Sequence, residues 1–336
     1  MSAVTSVLIV DDEPSVRNLM VRWAESLGMQ PSTAQNAYEA VRALQTGAYD
    51  VAVIDVMMPG RNGLWLASEL RRDYPQTAVV LATAHVEELD PRTTAVADLL
   101  IKPFKRERFL LALDRGREWR RHAIEEIEWH QRLTDELTRQ TEAVIVELER
   151  NRATGDEADV LFEILRSRVP DVALHSERVR RYALAIASAL GETIPSLPRL
   201  ELAARFHDLG KAATPHAVLS KPSPLSAVEA GLMRAHVDSG ADILEHTHSL
   251  ADLAPLVRAS HEWFNGRGYP RNLAGERIPL ESRIIGVADA YDAMTQDRGY
   301  RSRLSAAEAI SEVLRSVPAQ FDPDVVGAFL SILNRH

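Results

Sequence analysis

Four short and largely apolar runs, separated by stretches with helical periodicity, constrain the fold of the N-terminal part of this chain. The runs lie at residues 7–10, 51–54, 79–82 and 98–101. Apolar strands that alternate with helices are typical of a parallel sheet that is covered on both faces. The sequence therefore predicts an α/β domain with a doubly wound parallel sheet over residues 1–120.

Polar side chains stand at the end of each predicted strand. They are Asp11, Asp12, Asp55, Thr83 and Lys102. Asp11 and Asp12 could merely cap a helix, and Lys102 could be a surface residue. The ligand sites of such sheets lie where the carboxyl ends of the strands meet, however, so four polar ends favour a site. Three carboxylates suit Mg²⁺, and one of them could attack a phosphoryl donor and form an acyl phosphate.

These strand-end residues resemble the receiver domain of two-component response regulators. The resemblance implies Asp55 as the phosphoacceptor and Asp11 and Asp12 as Mg²⁺ ligands. It also implies that Thr83 and Lys102 sense the phosphoryl group. A cognate sensor histidine kinase is the partner that this resemblance implies for the phosphorelay.

The segment around the lysine has two further features. The resemblance implies a cis peptide bond between Lys102 and Pro103. The position three residues before the lysine, which is aromatic in the family, is Leu99. We therefore expect phosphorylation to be read out without the swing of an aromatic side chain.

A long helix is predicted between two domains. Residues 105–152 contain no proline and, after Gly116, no glycine. Apolar residues recur there at steps of three and four, namely Ala123, Ile127, Leu133, Leu137, Val144 and Leu148. The pattern predicts a helical connector over residues 105–156 that overlaps the last helix of the receiver domain. It favours a parallel coiled coil in a homodimer, and the alternative is a helix that lies against its own chain.

Residues 157–336 show helical patterns without strand alternation, which predicts an all-α domain. His207 and Asp208 stand where one of these helices is expected to end, before Gly210. An imidazole beside a carboxylate can bind one divalent ion, and the second carboxylate oxygen can bridge to another. Asp289 lies on an apolar helix and needs a partner, either a metal ion or a donor in the core.

The segment over residues 172–326 resembles the HD-GYP branch of the HD phosphohydrolases, which opens cyclic di-GMP. The resemblance rests on the pair His207-Asp208, on Gly-Tyr-Pro at 268–270 and on Asp-Arg-Gly-Tyr-Arg at 297–301. It implies two metal ions. The ligands that it implies are His175, His207, Asp208 and Asp289 for one ion, and Asp208, His236 and His261 for the other. Since the chain has no cysteine, all ligands are nitrogen or oxygen, and we favour iron or manganese.

The same resemblance implies the catalytic roles. A water between two ions becomes a hydroxide at neutral pH, and the ions clamp the phosphodiester. His207 and Asp208 would act in catalysis together with Lys211, which would steady the phosphate oxygens. Further substrate contacts are implied for Tyr269, Arg298 and Arg301.

Two positions depart from the family pattern. Ser260 stands before His261 where the family has adjacent histidines, and Asn265 replaces an acid. We favour a response regulator whose phosphorylated receiver controls the hydrolysis of cyclic di-GMP to pGpG, GMP or both. The alternative that Ser260 raises is a degenerate, catalytically impaired effector that binds cyclic di-GMP or a protein. A third hypothesis is the hydrolysis of another cyclic dinucleotide.

Charge and hydropathy indicate which partners and which cellular location to expect. The net charge of −9 disfavours a nucleic-acid-binding surface, so we expect no binding to DNA. No apolar run approaches the length of a membrane span, and the N-terminus lacks the basic start of a signal peptide. We therefore expect a cytoplasmic protein.

Overall fold

The computed structural model of the chain describes residues 4–84, 96–151, 155–191, 196–297 and 303–333. The chain forms two compact units, Met1–Trp129 and His130–His336. Within the described ranges, none of the helices is long and apolar enough to span a membrane.

The N-terminal unit is built on a five-stranded parallel sheet with the order β2-β1-β3-β4-β5. Its strands are β1 (Ser6–Val10), β2 (Gln30–Ala34), β3 (Val51–Asp55), β4 (Ala78–Thr83) and β5 (Asp98–Ile101). The four predicted strands and the predicted α/β class are thus confirmed. The fifth, β2, was not predicted, because its residues Gln-Pro-Ser-Thr-Ala lack an apolar run. It lies at the edge of the sheet, where a proline is tolerated.

Helices cover both faces of this sheet. They are α1 (Pro14–Glu25), α2 (Ala37–Thr46), α3 (Gly63–Asp73) and the first turns of α4 (Arg106–Asn151). One core cluster includes Met20 of α1 and Phe109 of α4. The other includes Leu44 of α2 and Leu66 of α3. The carboxyl ends of the strands are left open between these layers, as in other doubly wound sheets.

The connector is one continuous helix of 46 residues, α4, as the sequence predicts. Near its start, Arg108 and Arg115 form ion pairs with Asp98 of β5. Further along, Leu133 and Leu148 are buried among residues of the C-terminal unit. These side chains of the predicted coiled-coil seam therefore lie against their own chain.

The described residues of the C-terminal unit form helices and loops, which confirms the predicted all-α class. The helices are α5 (Glu157–Arg168), α6 (Pro170–Leu190), α7 (Leu197–Phe206), α8 (His216–Leu219), α9 (Ala227–Arg234), α10 (His236–Glu245), α11 (Ala254–Arg258), α12 (Leu280–Thr295), α13 (Ala306–Arg315) and α14 (Pro323–Leu333). A short 3₁₀ helix, Leu209–Ala212, follows α7. One core cluster, which includes the fully buried Ile186 of α6 and Ile285 of α12, holds α6, α7, α10, α12 and α14 together.

Candidate active site

The polar strand ends of the N-terminal unit converge as predicted. Carboxylate oxygens of Asp11, Asp12 and Asp55 lie within 4.8 Å of one another. The Lys102 ammonium is 2.7 Å from Asp11 Oδ2 and 3.1 Å from Asp55 Oδ1. Thr83, buried at the end of β4, accepts a backbone hydrogen bond from Lys102. The cluster can hold a hard cation beside Asp55.

Electrostatics and backbone geometry agree with that arrangement. Burial raises the pKa of Asp55, and Lys102 opposes the rise. Burial lowers the pKa of Lys102, but its contacts with the acids outweigh burial and leave it raised, so the ammonium stays charged. The Lys102–Pro103 bond is cis, as expected. Leu99 packs on the core beneath α2 and α3, so the family's aromatic position is a half-buried aliphatic side chain here.

A second cluster lies in the C-terminal unit, where α7 ends. His207 caps the C-terminal end of that helix, and Asp208 directly precedes the 3₁₀ helix. The next residue but one, Gly210, packs so closely on α10 that an added Cβ would lie 2.0 Å from the His236 carbonyl oxygen. Only glycine allows this approach, which places Asp208 beside His236.

Asp208 lies between two groups of possible ligands. His175, His207 and Asp208 offer atoms within 4.8 Å of one another, and so do Asp208, His236 and His261. Asp208 Oδ2 is 3.5 Å from His207 Nε2 and 3.7 Å from His175 Nε2. Asp208 Oδ1 is 3.2 Å from His236 Nε2. One carboxylate oxygen therefore faces each group.

The remaining predicted ligands complete these groups. His175 Nε2 is 3.0 Å from Asp289 Oδ1, so Asp289 adjoins the first group. His236 Nε2 and His261 Nε2 are 3.1 Å apart in the second. All six residues that the sequence proposes as metal ligands are thus brought together.

The donor atoms fit metal ions. His207 Nε2 is buried and has no hydrogen-bond partner among the described residues. His207 Nδ1 donates to the Ala204 carbonyl and His236 Nδ1 to the Met233 carbonyl. These bonds fix the tautomers and turn Nε2 of both rings towards the cluster, as in metal sites of proteins.

The pKa values indicate which ligands are ready to bind. Burial alone would raise the pKa of Asp208, but Lys211 and the imidazoles hold it well below its usual range. Burial and the neighbouring His236 lower the pKa of His261 to about 3. Burial lowers the pKa of His175 too, but hydrogen bonds with Asp289 and another carboxylate raise it to about 9. A divalent ion would displace that proton from His175.

Lys211 and Tyr269 lie at the edges of this cluster. The Lys211 ammonium is 2.6 Å from Asp208 Oδ2. The Tyr269 ring stacks on His261 at 5.2 Å between centroids, and the Arg234 guanidinium lies 5.7 Å from the same ring. The two other predicted substrate contacts, Arg298 and Arg301, lie outside the described residues.

Ser260 occupies the position where the family has a further histidine. It is buried, and its hydroxyl donates to the Val257 carbonyl at 2.8 Å. It lines a small cavity with His261 and Asp289. Being a serine, it adds no imidazole to the two ligand groups, which consist of histidine and aspartate residues among those described. The second group therefore has three ligands, while the first, with Asp289, has four.

Two family models match this chain. Residues 7–114 match the response regulator receiver domain, and residues 159–325 match the HD domain. This chain is a response regulator with an HD domain. Receiver domains bind Mg²⁺ and HD domains depend on metal ions, which agrees with the acidic cluster and the histidine cluster.

Two curated relatives resemble this HD-domain response regulator along most of its length, and a third resembles about half of it. It is 29% identical over 340 residues to a cyclic di-GMP phosphodiesterase of Thermotoga maritima, covering 97% of this chain and 90% of the relative. It is 29% identical over 346 residues to the cyclic di-GMP phosphodiesterase response regulator RpfG of Xanthomonas campestris, covering 97% and 87%. Over 172 residues it is 34% identical to 3'3'-cGAMP-specific phosphodiesterase 3 of Vibrio cholerae, covering 51% and 37%.

The HD domain of this response regulator also contains neighbours that sequence reasoning did not assign. Asp292 contacts His175 Nδ1 at 2.7 Å and is bound by Arg178 through two hydrogen bonds. The helical spacing of these residues could have indicated both neighbours from the sequence. Asp292 follows Asp289 by three residues, and Arg178 follows His175 by three, so each pair shares a helix face.

Proposed function

We propose that phosphorylation of the receiver domain controls the hydrolysis of cyclic di-GMP to pGpG, GMP or both by the HD domain. The observation that carries this proposal is the position of Asp208. It is buried, and each of its oxygens faces a separate group of histidines. A carboxylate in this position can bridge two ions, and such pairs of ions act on phosphodiesters. The similarity of the whole chain to two cyclic di-GMP phosphodiesterases supports the substrate.

The proposed metal ligands divide between the two groups. His175, His207, Asp208 and Asp289 would hold one ion, and Asp208, His236 and His261 the other. Two ions bound by these residues would supply a hydroxide at neutral pH and would offset the charge that builds on the phosphate. Iron and manganese suit a set of imidazole and carboxylate ligands.

The protein itself orients the substrate. Lys211 holds Asp208 by one of its N–H groups and has two more to offer to a phosphate oxygen. The Tyr269 ring, stacked on His261, gives a flat surface for a guanine base. We propose that Arg298 and Arg301 add contacts to the phosphates or bases.

In the receiver domain we propose Asp55 as the phosphoacceptor, with Asp11 and Asp12 as the Mg²⁺ ligands. Thr83 and Lys102 would sense the phosphoryl group. The Lys102 ammonium already contacts Asp55, so it is placed to follow a charge added there. The phosphodonor would be a cognate sensor histidine kinase.

We also propose a homodimer through the connector. Leu133 and Leu148 of α4 pack within their own chain, which leaves Ala123 and Ile127 of the predicted seam for pairing of two connectors. The proposed domain limits stay at 1–120 for the receiver, 105–156 for the connector and 157–336 for the HD-GYP domain.

The deciding experiment is turnover of cyclic di-GMP by the full chain loaded with manganese or iron. It is run beside Asp208→Ala and Ser260→His. Product from the wild type that disappears in Asp208→Ala supports the proposal. Activity that appears only in Ser260→His means that the serine disables the second group and that the chain is a binding effector. A higher kcat/KM for 3'3'-cGAMP than for cyclic di-GMP would change the assigned substrate.

A further inference from the structure

A small apolar cluster joins the connector to the helix that precedes His236. We call it the connector cluster. Its members are the buried Leu133, Val218 and Leu232, with Leu137, Leu225 and Met233 packed against them. All six belong to the C-terminal unit. Leu133 and Leu137 lie on α4, and the cluster is separate from the main core of the unit.

This cluster touches the surroundings of a proposed metal ligand. Met233 is a member, and its carbonyl accepts a hydrogen bond from His236 Nδ1 at 2.7 Å. One residue, Ala235, separates the end of α9 from the start of α10 at His236. A shift of α9 against α4 therefore moves both the acceptor that orients the imidazole and the backbone that carries it.

His236 belongs to the group that is more sensitive to such a shift. That group consists of Asp208, His236 and His261, because the hydroxyl of Ser260 is bound to a backbone carbonyl. With three ligands, a change in the position of one imidazole removes a large part of the binding energy. The other group, with His175, has no member on α9 or α10.

We infer that Leu133 is a positioning residue for His236, acting through Leu232 and Met233 of the connector cluster. The connector thereby sets the affinity of the second metal position. The same helix carries Phe109 in the core of the receiver unit, so displacement of α4 by the receiver changes occupancy of that position. This inference rests on the proposed function in one respect, that the group around His236 binds a metal ion.

The test is a titration of the metal-free full chain with Mn²⁺ in the presence of excess Mg²⁺, which fills the acidic cluster of the receiver. It counts the Mn²⁺ ions bound by the histidine groups and gives the affinity of each. In Leu133→Ala we expect the weaker ion to bind about tenfold more weakly, the size of effect seen when groups behind metal ligands are altered. The affinity of the tighter ion, at the group with four ligands around His175, should be unchanged. If Leu133→Ala does not fold, Leu137→Ala serves in its place. Leu137 is a partly buried member of the connector cluster, so its loss should weaken the same ion to a smaller extent.

Two control variants separate positioning from general destabilisation. Leu148→Ala removes a side chain from the main core, and Val146→Ala removes one that is 51% exposed on the same helix. Leu148→Ala should lower Tm without weakening the second ion selectively, and Val146→Ala should change neither. Leu133→Met should restore the second affinity. Equal weakening of both ions in Leu133→Ala, or no weakening, would overturn the inference.

A second readout links the cluster to the receiver. Beryllofluoride, a mimic of the phosphoryl group, should change the affinity for the second ion in the wild type and in Val146→Ala, but not in Leu133→Ala. The titration needs no turnover, so selective weakening of the second ion in Leu133→Ala would support this inference even if the wild type did not cut cyclic di-GMP, a result that would contradict the proposed function. A wild type that binds a single ion would overturn the inference.

Discussion

The Nδ1 atom of His175 lies 2.7 Å from the Oδ2 atom of Asp292. A carboxylate behind a metal-binding imidazole orients the ring and makes it a stronger ligand. We therefore expect Asp292→Asn, which keeps the shape and removes the charge, to weaken the tighter metal ion about tenfold or more. Titration with Mn²⁺ measures the affinity of each ion. The affinity of the weaker ion, at Asp208, His236 and His261, should change less.

A carboxylate of the same unit that pairs with arginine away from the site provides the control. Glu147 forms an ion pair with Arg168 at 2.8 Å, as Asp292 does with Arg178. Glu147→Gln should leave both metal affinities unchanged. If Asp292→Asn and Glu147→Gln behave alike, the carboxylate behind His175 has no special role.

Two glycines of the C-terminal unit should respond to alanine in opposite ways. A Cβ at Gly210 would lie 2.0 Å from the His236 carbonyl oxygen, whereas a Cβ at Gly231 within α9 meets no atom within 4 Å. We expect Gly210→Ala to cost about 3 kcal/mol of unfolding free energy and to weaken metal binding. Gly231→Ala should stabilise the protein by about 0.5 to 1 kcal/mol. Urea unfolding measures both, and a stable, metal-binding Gly210→Ala would contradict the close packing.

Aspartates at the two ends of β3 allow loss of phosphorylation to be distinguished from loss of structure in the receiver. Asp55 ends the strand beside Lys102, while Asp50 precedes it and accepts a hydrogen bond from Ser6. With acetyl phosphate and Mg²⁺ as the phosphodonor system, Asp55→Asn should incorporate no phosphoryl group, because the nucleophilic carboxylate is gone. Asp50→Asn should still be labelled. Phosphoryl incorporation into Asp55→Asn at the wild-type level would show that the acceptor is another residue.

The stability of the receiver unit should depend on pH through Asp98. Burial raises the pKa of Asp98, but Arg108 and the other hydrogen-bond donors outweigh burial and hold it below its usual 3.8. A lowered folded pKa stabilises the fold above the unfolded pKa, and this stabilisation is lost as the pH falls through the folded pKa. We expect Asp98→Asn to cost on the order of 1 kcal/mol at pH near 7. The cost should shrink as the pH falls below the usual 3.8.

Thermal melts of the full chain at several pH values compare Asp98→Asn with the wild type. Asp114→Asn is the control, because Asp114 is 62% exposed and its pair with Arg117 is worth little. It should change the stability little at any pH. A cost of Asp98→Asn that does not vary with pH would exclude ionisation of Asp98 as its cause.

The sequence allowed four of the five strands to be predicted, because β1, β3, β4 and β5 carry the apolar runs that are typical of a sheet with two covered faces. The strand β2 could not be found in this way. It reads Gln-Pro-Ser-Thr-Ala, and four of its five positions are not fully buried. At the edge of the sheet, pairing with β1 through the backbone suffices to hold it.

More of the candidate active site than of the connector could be predicted from the sequence. Residue type and family pattern pointed to His207, Asp208 and their partners, and the helices bring these residues together. The pattern could not show that Ser260 donates to a backbone carbonyl, because that depends on how the turn after α11 closes. For the connector, the spacing of Leu133 and Leu148 fits a partner helix and a core of the same chain equally well. Tertiary packing alone decides between them, and it places both inside the chain.

The continuity of α4 determines where this protein can be cut into independently folding pieces. A fragment that starts at residue 159, where the HD-domain match begins, would lack Val144 and Leu148 from its main core. It would also expose Val218 and Leu232, which Leu133 covers. A piece that starts at His130 keeps all three side chains. Truncations made at the limits of the family match should therefore be insoluble or unstable, and low activity in such a piece would report a broken core and not a defective catalytic centre.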